Sequence, residues 1–445
     1  MEIYRTIYNE LEKWKKNSSK KPMILRGARQ VGKSYIAKTF SKTYSQKILL
    51  NLEKTEEAAL FEKYQLEDLI DFLYSKNKYK KNTECFLFID EIQESPKALQ
   101  MLRFFYEEHS YLHVMAAGSL LEFALDKIES FPVGRVQQIA VYPVSFEEYL
   151  HTVNPELIPY YQEIPCSNVG HDLLMPIFHQ YTLLGGMPEL LKTYLISKDL
   201  VSSEKIYADL WQGYKDDSEK YAKNPTDRKV LRHILNYGQF EQDRIKYECF
   251  ANSNYKSREV SEAFQSLEMA KIIQLIHPIT STHFPPIPNL KRSPRMQYID
   301  TGILNYLLGI QADMIGIKDL SDFMRGKIVQ HIVSQEMISS KMQFNYKPFF
   351  WVREQLNANA EIDLILNYKN KIYPIEIKSG TKGRLRSLMQ FMDESTLDIG
   401  IRLSANYFSK EEAKTIKQKE FTLLNIPYFH AAKLELYVEL GGYGL

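Results

Sequence analysis

The sequence predicts an α/β protein organised on a parallel P-loop sheet, followed by a helical and winged-helix-like region and then by a second α/β unit. Three observations predict it. Residues 22 to 34 put a short apolar run before a glycine-bounded loop and a helix start. The segment Cys85-Phe-Leu-Phe-Ile-Asp-Glu-Ile is a continuous apolar run that ends in two carboxylates. The stretches from Glu361 to Leu366 and from Ile372 to Lys378 alternate as a hairpin does. At 445 residues the chain exceeds one ordinary core. The pattern divides it into a P-loop domain at 1–150, a helical lid or connector at 151–221, a winged-helix-like domain at 222–310 and a C-terminal domain at 311–445.

The first residues, with Ile3, Ile7, Leu11 and Trp14 at helical spacing, read as an amphipathic helix beside the sheet. Then comes Gly27-Ala28-Arg29-Gln30-Val31-Gly32-Lys33-Ser34, a complete GxxxxGK[ST] pattern running from strand to helix at Tyr35. Glycine lets successive N–H groups turn towards phosphate oxygens, and a helix N-terminus adds partial positive charge. Lys33 is placed for the β and γ phosphates and the Ser34 hydroxyl for Mg²⁺. ATP and Mg²⁺ are the expected ligands.

The buried strand from Cys85 suits a parallel sheet covered on both faces, whose strand ends form the ligand edge. Asp90 is expected to hold the Mg²⁺ shell with Ser34, and Glu91, on the opposite side of the strand, to polarise the attacking water. A helix follows from Pro96, then the strand His113-Val-Met-Ala-Ala-Gly-Ser119. Ser119 has two readings, a sensor of the γ phosphate and a cap for a helix beginning at Leu120. Arg135 also has two, a γ-phosphate contact in cis or across a subunit contact, and a surface salt bridge.

GARQVGKS, FLFIDEIQ, AAGSLL, FPVGRV and YPVSFEEYL, in this order, resemble the AAA-type ATPases of bacteria and archaea that carry a C-terminal domain of unknown function. YTLLGGMPE, the stretch Tyr214 to Tyr221, YIDTGIL, EIDLIL and YPIEIKSG continue the likeness over nearly the whole chain. The resemblance implies a five-stranded sheet with an extra strand between the P-loop strand and the Asp90 strand, and a catalytic glutamate beside Asp90.

Composition narrows the remaining classes. The 57 basic and 55 acidic residues nearly balance, so any basic patch is local. Cys85, Cys166 and Cys249 lie far apart, without spacing for a disulfide framework or a zinc site. No segment approaches the roughly 20 apolar residues of a membrane span, and a cytoplasmic location is expected.

From Leu150 to Tyr221 the pattern is helical, and Asp216, Asp217 and Lys220 read as a solvated face. From Arg228 to Leu308, helices lead into two strands, Lys271 to Ile276 and Arg295 to Ile299, that enclose a long loop. A winged helix would offer Lys256, Arg258, Lys271, Lys291, Arg292 and Arg295 to DNA phosphates. Glu259, Glu262 and Glu268 oppose that role, and packing against the ATPase part is the alternative.

In the C-terminal hairpin, Asp363 sits in one strand and Glu376 and Lys378 share a face of the next. The pattern D-x12-E-x-K resembles the PD-(D/E)xK nucleases, in which Asp363 and Glu376 would hold a second Mg²⁺ and Lys378 would act on water. The expected fold is restriction-endonuclease-like. Where the resembling family carries a glutamate on the preceding helix, this chain has Gln330, which lacks the charge that helps to hold a hard cation. Glu336 lies six residues on, a rotation of about 240°, and should face elsewhere.

The leading expectation is a Mg²⁺-dependent ATPase that couples hydrolysis to rearrangement of its domains, of DNA or of a protein partner. A nucleotide-gated DNA nuclease and a non-hydrolysing ATP-dependent switch are the alternatives; oligomeric state is open.

Overall fold

The computed structural model describes residues 2–119, 121, 134–220, 222–241, 244–310, 326–354, 360–378 and 385–442. Leu120, Phe131 to Val133, Tyr221, Ser379 and Gly380 lie outside them.

The N-terminal helix α1 (Ile7–Lys16) buries Ile7, Leu11 and Trp14. Strand β1 (Met23–Arg26), helix α2 (Lys33–Phe40) and strand β2 (Lys47–Asn51) follow. After α3 (Thr55–Lys63) and α4 (Leu66–Lys76) come β3 (Cys85–Asp90), α5 (Pro96–Glu108), β4 (Leu112–Ala117) and β5 (Gln137–Ala140). The strands form one parallel five-stranded sheet in the order β2-β3-β4-β1-β5, so β4 separates the P-loop strand from β3. Alternate residues serve opposite cores: Phe86 and Phe88 join the large cluster that continues into the rest of the chain, and Leu87 and Ile89 join the outer one under α4 and α5. This two-sided burial explains the unbroken apolar run.

Helices then dominate: α6 (Phe146–Val153), α7 (Ile158–Gln162), α8 (Asn168–Leu184), α9 (Pro188–Ser197), α10 (Leu200–Glu219), α11 (Pro225–Tyr237) and α12 (Ser257–Met269). Ser145 and Glu148 close α6 with a reciprocal capping box, the local reason for the YPVSFEEYL segment. Strand β6 (Ile273–Ile276) pairs antiparallel with β8 (Arg295–Tyr298).

The connection between β6 and β8 is not a free wing. Within it, β7 (Pro278–Ile279) pairs parallel to β9 (Phe349–Val352), and Trp351 Nε1 donates to the Thr280 carbonyl at 3.1 Å. The connection therefore packs against the C-terminal sheet, where packing against the ATPase part was expected. Arg295 and Lys271 are drawn in too, whereas Arg258 stays exposed beside Glu262. Arg295 pairs with Glu361 and donates to the Asp363 carbonyl at 2.8 Å. Lys271 lies 4.0 Å from the Phe344 ring centre, and Arg258 pairs with Glu262 at 2.8 Å. Lys256 and Lys291 are exposed.

After α13 (Thr301–Leu308) and α14 (Gly326–Ser339), the remaining strands are β10 (Glu361–Tyr368), β11 (Lys371–Ile377), β12 (Ile399–Ser404), β13 (Ser409–Lys414) and β14 (Glu420–Pro427). With β7 and β9 they make a mixed seven-stranded sheet, β13-β14-β12-β11-β10-β9-β7, flanked by α14, α15 (Arg386–Glu394) and α16 (Leu434–Gly442). A sheet strand from inside 222–310 thus crosses the boundary expected at 310.

Buried acids join the parts. Asp300 caps α13 through Ile303 N at 3.1 Å and accepts from Gly186 N at 2.5 Å, while a Cβ on Gly185 would lie 2.3 Å from Asp300 Oδ1. YIDTGIL and the paired glycines of YTLLGGMPE are one contact. Glu336, fully buried on α14, accepts from Phe146 N at 3.2 and 3.1 Å and from the Tyr181 hydroxyl at 2.8 Å. It does face away from Gln330, towards the start of α6.

Candidate functional site

The loop after β1 is shaped by its neighbours. A Cβ on Gly27 would lie 2.2 Å from the Val141 carbonyl oxygen just beyond β5, so only glycine fits there. Gly32 has φ 96°, a left-handed value that a glycine adopts without strain, and α2 begins at the next residue. Lys33 Nζ folds over the loop and donates to the carbonyls of Gly27 at 2.9 Å and Ala28 at 2.6 Å. Burial lowers its pKa to about 8, against the opposing charges of Glu91 and Asp90. Tyr35 is half exposed on the first turn.

Asp90 ends β3, buried, with its carboxyl pKa raised by burial and drawn back by the Ser34 hydroxyl bonded to it. Glu91 lies beyond the strand at φ 48°, ψ 48°. The left-handed turn, rather than strand alternation, separates the two carboxylates. Strain of this kind at a non-glycine residue persists only where surrounding contacts enforce it. Here Glu91 Oε2 accepts from Gln93 Nε2 at 2.7 Å and Ser119 N at 3.3 Å, with Ser119 Oγ at 3.4 Å. A Cβ on Gly118 would lie 2.1 Å from Gln93 Oε1, so AAGS leaves room for that hold.

Helix α10 braces the outside of the loop. The Tyr214 hydroxyl donates to the Arg29 carbonyl at 2.8 Å, and the Arg29 guanidinium pairs with Asp217. Asp217 is 4% exposed and also bonds Lys220 at 3.0 Å. The solvated face expected here belongs to Asp216, whereas Asp217 turns inwards. From α1's side, Arg5 donates to the carbonyls of Val31 at 3.2 Å and Tyr142 at 2.7 Å and pairs with Glu148 at 3.1 Å.

Arg135 lies elsewhere. It precedes β5 at the start of the strand, roughly 20 Å below the loop at about 3.3 Å per residue, and pairs with Glu107 at 2.7 Å. A contact in cis with a phosphate at Lys33 is out of its reach; within the chain it makes the surface salt bridge.

The C-terminal carboxylates do meet. The register, with Leu364 opposite Ile375, sets Asp363 beside Glu376, and Asp363 Oδ2 accepts from Ile377 N at 2.8 Å. Burial and then Asp363's charge lift the Glu376 pKa to about 7. Lys378 Nζ lies 2.5 Å from Glu376 Oε1, while Oε2 is buried without a hydrogen-bond partner. Gln330 Nε2 reaches the Asp363 carbonyl at 3.5 Å. Among the described residues, the group of three metal-ligating side chains with ligand atoms within 4.8 Å of one another is Glu67, Glu108 and His109, away from both sites.

Four contributors escaped the sequence reading. Gln93 sits inside the FIDEIQ segment, two residues from the Glu91 it holds; Tyr214 and Asp217 sit inside a segment singled out above, yet their target, Arg29, lies more than 180 residues away in the chain. Arg5 carries no pattern at all.

Residues 19–150 match the family model described as an AAA domain. Residues 175–314 and 325–429 each match a domain of unknown function. No curated protein matches the chain. Solved structures with some likeness include a Walker-type ATPase of Pyrococcus abyssi, at 15% identity and TM-score 0.45 over 67% of this chain and 94% of that one. A Thermotoga maritima RuvB variant has 16% identity and TM-score 0.29 over 64% and 90%, and PCH-2 of C. elegans 13% and 0.24 over 36% and 49%. The AAA-domain match spans Gly27 to Ser34, Asp90, Glu91 and Ser119, and this part of the chain is an AAA-type P-loop domain. Among the described residues, no helix is long and apolar enough to cross a membrane.

Proposed function

We propose that the chain is a Mg²⁺-dependent ATPase of the AAA type, in which hydrolysis rearranges the helical, winged-helix-like and C-terminal parts at 151–221, 222–310 and 311–445. The carrying observation is the set of groups at the β1 and β3 strand ends: Lys33, a Ser34 hydroxyl on a buried Asp90, and Glu91 held in a strained turn. Hydroxyl and carboxylate are the hard oxygen donors that Mg²⁺ takes, so Ser34 and Asp90 fit the ion. When bound, the ion would neutralise charge on the β and γ phosphates. Lys33 exchanges its two loop carbonyls for phosphate oxygens, the N–H groups of 28–34 cradle the phosphates, and Tyr35 borders the nucleotide. Glu91 takes the proton of the attacking water, and Ser119 and Gln93 set the position from which it does so. Arg135 is left to act only across a subunit contact.

The test is ATP turnover alongside binding. Lys33→Ala abolishes binding measured by calorimetry; Glu91→Gln keeps it and lowers turnover by about 100-fold or more. Equal turnover in wild type and Glu91→Gln sinks the reading in favour of an ATP-dependent switch.

One observation favours a second activity. The unpartnered Glu376 Oε2 beside Asp363 suits a cation, as a nuclease-like domain requires. Against it, Lys378 already occupies Glu376 and Gln330 brings no charge. Mg²⁺-dependent cleavage of DNA that disappears in Glu376→Ala supports a nucleotide-gated nuclease; no cleavage leaves a cation site without chemistry.

A further inference from the structure

The segment Tyr214 to Glu219 is a part of the architecture that hydrolysis alone does not explain. It lies on α10, outside the AAA domain, yet it grips the middle of the P-loop at Arg29 by two independent contacts, the Tyr214 hydroxyl on the backbone and Asp217 on the side chain. The two charged partners differ in environment. Asp217's side chain is 5% exposed, whereas that of Arg29 is 44% exposed and also lies in the field of Glu91 and Glu53. Arg29 can therefore leave at little desolvation cost, because water already reaches it. Asp217 is not stranded when it does, since Lys220 remains bonded to it at 3.0 Å. Glu91's influence on Arg29 places the guanidinium within electrostatic range of the site where a γ phosphate would sit.

We propose that Asp217 is a counter-charge that the γ phosphate displaces: ATP draws Arg29 off Asp217 and releases the end of α10, whereas ADP leaves the pair closed. A triphosphate adds negative charge near Arg29 and so competes with the carboxylate for the same cation while repelling it. The release has a route outwards. Helix α10 packs on α9, α11 and α13, and its Trp211 lies 6.1 Å, ring centre to ring centre, from Tyr298 at the end of β8. Nucleotide state is thereby read by the segment that leads into the β6–β8 hairpin and, through β7, into the C-terminal sheet. This inference rests on the reading that the loop binds ATP.

Hydrogen exchange on the full chain tests it, with Mg²⁺ and either ADP or the β,γ-imido analogue of ATP, and with calorimetry on the same samples. The analogue should speed amide exchange across 213–219 about fivefold or more while ADP does not. Asp217→Asn should exchange fast without nucleotide and bind the analogue about three- to tenfold tighter, with ADP affinity unchanged. Asp217→Glu should restore wild-type behaviour, and Arg29→Ala, at a half-exposed side chain, should loosen α10 and make it indifferent to nucleotide. Bound analogue with unchanged exchange in α10, or an equal response to ADP, overturns the counter-charge and leaves the ATPase reading standing. Failure of the analogue to bind at all removes both.

Discussion

In the proposed reading, the P-loop and the C-terminal carboxylates are two ways of holding a charged ligand, and they differ in where the ligand groups would come from. At the P-loop, most come from consecutive backbone N–H groups of one loop, and a few side chains complete them. At β10 and β11 the set consists of side chains from neighbouring strands, so each must be present and correctly charged. Gln330 brings no charge to the second set, whereas the pattern of the first leaves the side chains of its four middle residues unspecified. The two are also connected: α14 turns Gln330 towards Asp363 and Glu336 towards Phe146 of the N-terminal part.

That connection gives the largest expected effect. Glu336→Ala leaves the buried Phe146 N–H without its acceptor and should cost about 2–3 kcal/mol in chemical denaturation. Burial lifts the Glu336 pKa from 4.5 to about 8, so the folded chain retains a proton that the unfolded chain releases. The resulting stability is complete below about pH 4.5 and is lost as pH rises towards 8. Glu336→Gln should flatten that slope in Tm against pH while keeping the fold; an identical slope would remove Glu336 as its source.

The C-terminal site is sharpened by adding what it lacks. Gln330→Glu should tighten Mg²⁺ or Mn²⁺ binding there about tenfold, read by calorimetry in a Lys33→Ala background that silences the P-loop. Unchanged affinity would show that the Asp363–Glu376 pair is a structural contact and break the analogy between the sites. The smallest effect belongs to Ser119→Ala, which removes one of the groups around Glu91 yet keeps the backbone N–H at 3.3 Å. Turnover should change by about threefold with ATP affinity unaltered. A loss as large as that of Glu91→Gln would make Ser119 part of the chemistry.

Local sequence carries the elements that local physics enforces. A glycine-bounded loop between strand and helix, a doubly buried apolar strand and a period-two hairpin are legible because backbone geometry demands those residue types nearby. The meeting of Asp363, Glu376 and Lys378 follows from such patterns, whereas the five-stranded sheet with its extra strand was implied by the resemblance. The turn inwards of Asp217 does not, because helical spacing places it beside Asp216 and only the packing of α10 on the loop separates their fates. The same holds for Arg135, whose strand is readable but whose edge of the sheet depends on register.

By itself, then, the sequence determined the P-loop, its carboxylate partners and the hairpin charges, each an arrangement of residues near in the chain or in adjacent strands. Tertiary structure alone decided that the β6–β8 connection joins the C-terminal sheet, that Glu336 caps α6, and that Asp217 meets Arg29. These contacts join residues tens to hundreds of positions apart, and what selects them is burial: a polar group removed from water must find a partner wherever the fold supplies one.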